Sequence, residues 1–310
     1  MHSVLITVNL GQTMKRRYVI ADVFTDRPFL GNPVAVVLDA VGMSTEQMQR
    51  VAVEFGYSET TFVLPPEEPS NTAQVRIFTP SREIPFAGHP NVGTAFVLAS
   101  YAVANGEALP DTLLFEEGAG LVPVELIKSG GMVTGAELVA PEALSCRSEV
   151  SLEKVAACLS LTTEDICTDV HRPLIASVGL PFLVVELTSR DALRRCVPNL
   201  QGFQAVLPLD GAVSIYAYTP DVNHEEQCDL QARMFTPRMT EDPATGSATA
   251  AVTALLAQTL GKTRLSLRVR QGVDMGRASL LCASYDATSA KPCIRVGGNS
   301  VITMEGTFNV

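Results

Sequence analysis

The sequence predicts an α+β protein made of two similar halves, each a curved sheet wrapped around a central helix. The segment FTPSREIPFAGHP at 78–90 returns 157 residues later as FTPRMTEDPATGS at 235–247. A strand-like apolar run precedes each copy, and an Ala-rich helical pattern follows each copy. The other apolar runs are short and separated by turn residues, which is typical of strands. A repeat of this length indicates two pseudo-symmetric domains that face one another.

The first half of the chain predicts strands around one long helix. A shorter helix begins at the capping box Ser44-Thr45-Glu46-Gln47 and ends before Gly56. The long helix follows Pro90, a residue that fits just inside a helix start. The predicted strands are YVIADVF (18–24), VAVVLDA (34–40), YSETTFVLP (57–65), QVRIF (74–78), the hairpin DTLLFEEGAGLVPVELI (111–127) and MVTGAELVAP (132–141).

The second half retraces this order. Its long helix is predicted from Ser247, and a short helix around 191–196. Its strands are IASVGLPFLVVEL (175–187), VSIYAYTP (213–220), LQARMF (230–235), the hairpin LSLRVRQGVDMGRASLLCAS (265–284) and CIRVGGNSVITMEGTF (293–308).

Glycine and proline residues near 130–141 mark the boundary between the two predicted domains. We therefore divide the chain into an extension at 1–13, an N-terminal domain at 14–143 and a C-terminal domain at 144–310. The last strand, near 301–310, is available to return to the first domain.

The net charge and the apolar segments of the sequence disfavour nucleic acid and membranes as partners. A net charge of -10 disfavours nucleic acid and anionic membrane surfaces. No segment approaches the roughly 20 apolar residues that a membrane-spanning helix needs. The apolar run at 4–10 carries its basic residues after it, whereas a signal peptide carries them before. These features predict a cytoplasmic protein.

The cysteines and histidines do not form a recognisable metal site. The seven cysteines are odd in number and contain no C-x-x-C pair, so we expect reduced thiols. Four scattered histidines do not suggest a metal cluster. Neither a P-loop nor a G-x-G-x-x-G segment is present, which disfavours a nucleotide. We expect neither a metal nor a cofactor.

Glu59 is the strongest single candidate for chemistry. It interrupts a strand of apolar and β-branched residues, where a carboxylate is costly unless it is paired, protonated or useful. The residue alone also fits an exposed Glu on the outer face of an edge strand.

The two repeat motifs supply His89 and Asp242. His89 precedes Pro90 at the predicted start of the first long helix, where it can bind a ligand, shuttle a proton or simply pack. Asp242 lies near the start of the second long helix and also fits a capping residue. The N–H groups of Thr245, Gly246 and Ser247 can line an anion site there.

Two helix starts that face each other suit a small anionic ligand held from both sides. Glu59, His89 and Asp242 would then be three proton-carrying side chains around it. That set suits proton abstraction and return at carbon by general acid–base catalysis.

Six ordered motifs resemble the PhzF-like family of phenazine-biosynthesis isomerases and their uncharacterised relatives. They are GNPVAVV, SETTFV, PFAGHP, EDPATGSA, QGVDMGR and the ending IRVGG…MEGTF, and together they span 17–310. The resemblance implies a diaminopimelate-epimerase-like fold with the active site between two similar domains. It also implies a homodimer and an isomerase that needs no cofactor.

The resemblance also implies roles for particular residues. The family's named member isomerises trans-2,3-dihydro-3-hydroxyanthranilate, and its catalytic Glu corresponds to Glu59. His89 and Asp242 would orient the substrate or assist proton transfer. Residues that match substrate-holding positions, or that lie beside them, are Ser58, Gly88, Thr245, Gly246 and Ser247.

Some departures from the family pattern leave the substrate and the exact reaction open. Asn91, for example, stands where relatives often have Thr. Neither repeat motif contains the Cys that two-thiol racemases of the wider superfamily use, which disfavours such a racemase here. The alternatives are a thiol-free epimerase or racemase, and a non-catalytic protein that binds small anions on the same scaffold.

Overall fold

The computed structural model describes residues 14–108 and 110–310. In the first half the helices are α1 (Thr45–Phe55) and α2 (Gly88–Ala104). The strands there are β1 (Lys15–Val23), β2 (Asn32–Val37), β3 (Thr60–Leu64), β4 (Ala73–Phe78), β5 (Glu83–Ile84), β6 (Thr112–Glu117), β7 (Gly120–Ser129) and β8 (Met132–Val139). The predicted extension at 1–13 lies outside the described residues.

The second half contains the helices α3 (Leu152–Leu159), α4 (Arg190–Arg195), α5 (Leu200–Val206) and α6 (Gly246–Thr259). Its strands are β9 (Ser145–Glu149), β10 (Leu174–Ser177), β11 (Pro181–Glu186), β12 (Ile215–Thr219), β13 (Leu230–Phe235), β14 (Glu241–Asp242), β15 (Arg264–Gln271), β16 (Ser279–Asp286) and β17 (Cys293–Asn309).

The two halves share one strand order, so the sequence repeat extends to the whole topology. In the first half β1, β2, β3, β4, β6, β7 and β8 pair in that order, with parallel pairs at β2–β3 and β4–β6. In the second half β10, β11, β12, β13, β15, β16 and β17 pair in the same way, with parallel pairs at β11–β12 and β13–β15. The remaining pairs are antiparallel.

Strands β8 and β17 connect the two halves. β8 belongs to the first sheet and leads into β9, which pairs with β10 of the second. In return, β17 pairs with β16 through residues 293–297 and with β1 through residues 300–309. β8 and β17 also pair with each other where they pass. The second half therefore contributes β17 to the first half, and β8 and β17 join the two halves.

The long helices α2 and α6 lie inside the sheets. Both are buried on nearly every side, which explains why their sequences are apolar all round. One core joins the residues that face these helices in both halves. By contrast, α1 is amphipathic and packs on the outside of the first half; Ser44 caps it, and Gly56 ends it in a left-handed conformation.

Two helices of the second half, α3 and α5, were not predicted. Together with α4 they cover the outer face of β10–β12 and form a second apolar cluster with it. They are short, with eight and seven residues, so their periodicity is weak in the sequence. Among the described residues, no helix is both long and apolar enough to cross a bilayer.

Candidate active site

Glu59 lies directly before β3, and its side chain is only 18% exposed. β3 pairs with β2 on one side and with β4 on the other, so the alternative of an exposed Glu on an edge strand is wrong. Burial raises the pKa of the Glu59 carboxyl, and the neighbouring Ser58 hydroxyl opposes that rise. Ser58 itself is exposed. A carboxylate in this setting is a stronger base than an exposed one.

His89 is the second residue of α2, and its Nδ1 lies 3.5 Å from Oε2 of Glu59. Burial lowers the pKa of His89 to about 4, despite opposing influences from the Asp242 carboxylate and the Pro33 carbonyl. The ring is therefore neutral near pH 7, and the contact with Glu59 is not an ion pair. Within the described residues, neither His89 Nε2 nor Glu59 Oε2 has a hydrogen-bond partner.

Asp242 lies in β14 and does not cap the helix that follows, so its interpretation as a capping residue is wrong. The N-cap of α6 is Thr245, whose hydroxyl donates a hydrogen bond to Asp242 Oδ2 at 2.5 Å. Asn32 Nδ2 donates to Asp242 Oδ1 at 2.8 Å. Burial raises the pKa of the Asp242 carboxyl to about 6; nearby Glu59 adds to this, while His89 and the two hydrogen bonds oppose it.

Gln271, at the end of β15, holds the segment before α6 in place. Its Oε1 accepts a hydrogen bond from the backbone N–H of Thr245 at 3.0 Å. Its Nε2 donates to the Asp242 carbonyl at 2.7 Å and to the Thr245 hydroxyl at 3.0 Å. The Asp242 backbone and the start of α6 are thus fixed by one buried side chain.

The starts of α2 and α6 are both uncapped by side chains, which leaves their first N–H groups free for a ligand. The fold itself does not require the glycines there. A Cβ on Gly88 would meet nothing nearer than 4.0 Å, and one on Gly246 nothing nearer than 3.5 Å. At Gly93, by contrast, a Cβ would lie 2.5 Å from Val34. The starts of α2 and α6 therefore leave room for a ligand.

Most of the candidate residues come together. His89 lies 3.5 Å from Glu59, both residues influence the pKa of Asp242, and Thr245 contacts Asp242. Ser247 is partly buried in the first turn of α6, beside Gly246.

Sequence reasoning did not assign the roles of Asn32 and Gln271, although both lie in motifs that it identified. It also missed the bridge in which Arg277 Nη2 contacts Asp22 Oδ1 at 2.6 Å and joins the two halves. These roles depend on contacts between distant segments.

The fold is the diaminopimelate-epimerase-like α+β fold, as predicted. A hydroxyproline epimerase from Agrobacterium vitis superposes with a TM-score of 0.59 over 96% of this chain and 93% of its own; at 13% identity this likeness shows the fold alone. The crystal structure of a phenazine biosynthesis protein of the PhzF family from Bacillus anthracis is much more similar, with a TM-score of 0.84 and 27% identity over 96% of this chain and 99% of its own.

Sequence comparison gives the family. The model of the PhzC-PhzF family, described as phenazine biosynthesis-like protein, matches residues 21–306. An uncharacterised isomerase of Mesorhizobium japonicum is 35% identical over 94% of this chain and 98% of its own length. The trans-2,3-dihydro-3-hydroxyanthranilate isomerase of Pseudomonas aeruginosa is 34% identical over the same shares, 94% and 98%. The protein is an isomerase, and the chain belongs to the PhzC-PhzF family.

Proposed function

We propose that the chain moves a proton between two carbons of a small carboxylate-bearing substrate, with Glu59 as the group that carries the proton and without a cofactor. The observation that carries this proposal is the Glu59 carboxyl. It is buried, its Oε2 makes no hydrogen bond to the described residues, and it lies 3.5 Å from His89. A buried carboxylate with one unpartnered oxygen is costly to keep unless it serves a reaction.

In the proposed reaction Glu59 alone removes the proton and returns it, so protons and electron pairs balance without a second group. Glu59 removes a proton from an sp³ carbon next to a double bond, and the C–H electron pair shifts into a new double bond. The old double bond opens, and its far carbon takes the proton back from the Glu59 carboxylic acid. No oxidant, reductant or second base is required, and the general acid–base contribution is about 10²–10⁴-fold.

The neighbours of Glu59 would hold the substrate. The N–H groups of Gly246 and Ser247 at the start of α6 favour a carboxylate, because the helix dipole places positive charge there. Neutral His89 can accept or donate a hydrogen bond without competing for the proton. Asp242, held by two hydrogen bonds, can orient a donor group of the substrate.

The test is proton exchange with solvent. The protein is incubated in heavy water with trans-2,3-dihydro-3-hydroxyanthranilate, the compound named for the Pseudomonas relative, and with a panel of small unsaturated carboxylates. Mass spectrometry then follows deuterium in substrate and product. We expect incorporation by the wild type and a loss of about 10²–10⁴-fold in Glu59→Gln.

Glu107→Gln is the matched control, because Glu107 is exposed. Equal exchange by Glu59→Gln and wild type, or no exchange with any compound, would contradict the proposal. Inversion of one stereocentre without migration of a double bond would instead identify an epimerase.

We also infer a homodimer, on the strength of the family resemblance. Light scattering of the purified chain should give twice the mass of 33.1 kDa. A monomeric mass at micromolar concentration would contradict this.

A further inference from the structure

A groove of about 550 Å³ lies near the C-terminal end of α2, away from the candidate active site. Leu98 and Ala102 of α2 line it, together with Leu38 and Val63 from the strand ends. Leu98 and Ala102 follow His89 by nine and thirteen positions in the helix, which corresponds to about 14–20 Å along its axis. The groove is therefore a separate feature of the first half.

Arg16 lines this groove with an incompletely bonded guanidinium group. The residue is only 7% exposed, and its Nη1 donates to the Asp39 carbonyl at 2.7 Å. Its Nε is shielded from solvent and has no hydrogen-bond partner among the described residues. Nη2, on the same edge of the group, lies beside the turn at Gly42, where a Cβ would be 3.8 Å away. A buried cation with one edge unpaired is costly unless an anion meets that edge.

The neighbouring groups do not supply this anion. The Asp39 carboxylate is bound by Arg17, through Nε at 2.7 Å and Nη2 at 2.9 Å. Within the part of the chain that the structure describes, no carboxylate lies at ion-pair distance from Arg16. The last carbonyls of α2 accept hydrogen bonds from the backbone N–H groups of residues 105–107 instead. Glu107 lies at the rim of the groove but is exposed, so solvent screens its charge.

The internal repeat gives the groove a counterpart in the second half. The repeat residues Phe78 and Phe235 pair with Thr60 and Ile215, which aligns β3 with β12. From there, the strand registers align β2 with β11 and β1 with β10. Counted along these strands, the equivalent pairs at the groove are Arg16 and His171, Leu38 and Glu186, and Val63 and Tyr218.

In the second half the equivalent positions form a buried chain of hydrogen bonds. The Tyr218 hydroxyl donates to Glu186 Oε2 at 2.9 Å, and His171 Nε2 lies 2.7 Å from the same hydroxyl. His171 Nδ1 is bonded to the Arg172 carbonyl at 2.8 Å. All three side chains are buried. A carboxylate and an aromatic ring thus fill this place in the second half.

The first half has the basic residue but not the groups that partner it. Leu38 stands at the position of the Glu186 carboxylate, and Val63 stands at the position of the Tyr218 ring. Both substitutions are apolar, and Val63 is also much smaller than tyrosine. The groove is the space that results, with a cation at one side and an apolar wall at the other.

We propose that the groove beside Arg16 is a second binding site, which takes a small carboxylate with an aromatic or aliphatic body. The carboxylate binds the Nε–Nη2 edge of Arg16, a geometry in which a guanidinium and a carboxylate form two parallel hydrogen bonds. The body of the ligand packs on Leu38, Val63 and Leu98. An inorganic anion would leave that apolar wall in water, so the wall favours an organic acid.

The test locates binding by methyl NMR of the full chain. Benzoate and hexanoate are titrated to about 10 mM, which detects a Kd of about 1 mM, and are compared with benzamide and hexanamide. Signals of Val63 and Leu98 report the groove. Signals of Leu138 and Val296 report the candidate active site, because their methyl groups lie nearest to a Cβ built on the glycines that start α2 and α6.

We expect at least one acid to shift the Val63 and Leu98 signals in a saturable way. It should bind about tenfold or more tightly than its amide, the range of a hydrogen bond to a charged group. Arg16→Met, which removes the cation, should weaken this binding at least about tenfold. Arg50→Met, at an arginine that is 77% exposed, should leave it at the wild-type value.

Leu38→Glu is the second variant, in case Arg16→Met does not fold. It introduces the carboxylate that the second half has at this position, so Arg16 gains an internal partner. The added carboxylate should also weaken binding of the acids at least about tenfold, because it occupies the same edge and repels them.

The absence of shifts at Val63 and Leu98 with both acids would overturn the proposal, and so would shifts confined to Leu138 and Val296. Equal affinity for each acid and its amide would also overturn it, as would wild-type affinity in either folded variant. None of these outcomes measures deuterium exchange through Glu59, so the second site and the proposed function fail separately.

Discussion

Asn32 and Asp242 are 210 residues apart in sequence, yet Asn32 Nδ2 donates a hydrogen bond of 2.8 Å to Asp242 Oδ1. The same Asn32 amide donates to the Ala244 carbonyl at 3.0 Å. Asn32 is the first residue of β2 in the first half, and Asp242 is the last residue of β14 in the second half. The contact therefore joins the halves at the candidate site and stabilises a carboxylate that burial disfavours.

Replacing Asn32 should make Asp242 harder to ionise. In Asn32→Ala the carboxylate form loses a hydrogen bond, and the acid form loses less, so the pKa of Asp242 should rise further above its value of about 6. A hydrogen bond to a charged group contributes about 1.5–3 kcal/mol, which corresponds to a shift of about one to two pH units. The carboxyl ¹³C shift of Asp242, assigned through Asp242→Asn and followed against pH, measures this.

The control for this change is Asn105→Ala, at the exposed C-terminal end of α2. It should leave the titration of Asp242 where it is. An unchanged midpoint in Asn32→Ala as well would mean that the amide does not stabilise the ionised form.

His89 should destabilise the fold as the solution becomes acidic. Its pKa is about 4 in the folded chain and about 6.5 when unfolded, so the unfolded chain binds the extra proton between these values. Stability is therefore lost as the pH falls from about 6.5 towards 4. Between pH 7 and pH 4.5, wild type should lose about 1–3 kcal/mol more than His89→Asn.

Urea unfolding of both proteins at the two pH values gives this difference. The raised pKa of Asp242 acts in the opposite direction in both proteins. Because His89 lowers the Asp242 pKa, His89→Asn should raise it further, and this enlarges the expected difference in the same direction. Equal losses would show that His89 titrates near its ordinary pKa.

The features that the sequence predicted best are local ones. The long apolar helices and the two repeat motifs are visible because a helix and its start are encoded within about 20 residues. His89 and the segment from Thr245 to Ser247 were found for this reason. Asp242 was found too, and only the alternative that it caps the helix was wrong; its partner Asn32 was not found, because a partner 210 residues away leaves no local pattern.

What the sequence did not predict depends on strand pairing. The sequence analysis allowed the last strand, near 301–310, to return to the first domain, and β17 does pair with β1, but neither the passage of β8 into β9 nor the pairing of β8 with β17 was predicted. Contacts between the halves, such as those of Asn32 and Arg277, follow from these connections. They become evident only when the repeat is folded.

The glycine at the start of α6 should matter for binding but not for folding. Gly246→Ala adds a methyl that meets only ordinary neighbours in the protein, and alanine stabilises a helix by about 0.4–1 kcal/mol over glycine. The same methyl would crowd a carboxylate on the N–H groups. We expect unchanged or raised stability and a KM at least about tenfold higher, equivalent to roughly 1.4 kcal/mol of lost binding.

Gly93→Ala provides the contrast within α2. Its Cβ would lie 2.5 Å from Val34 and 2.8 Å from Val23, so overpacking should cost about 1–3 kcal/mol of stability. Thermal unfolding and KM measured on both variants separate the two effects. A destabilised Gly246→Ala with normal KM would show that this glycine is structural.

Arg277 and Asp22 should hold the two halves together more strongly than surface ion pairs do. Asp22 is 3% exposed at its side chain, and Arg277 also donates to the carbonyls of Phe29 and Gly31. Arg277→Met leaves a buried carboxylate without its cation, which costs about 3–5 kcal/mol in comparable pairs.

An exposed ion pair supplies the comparison. Arg50 and Glu46 are 77% and 74% exposed, so Arg50→Met should cost less than about 0.5 kcal/mol. If the unpaired Asp22 carboxylate causes the loss of stability in Arg277→Met, the double variant Asp22→Asn with Arg277→Met should recover much of that stability. A double variant as unstable as Arg277→Met would instead assign the loss to the two carbonyl contacts, because these are removed in both proteins and only the charge at residue 22 differs.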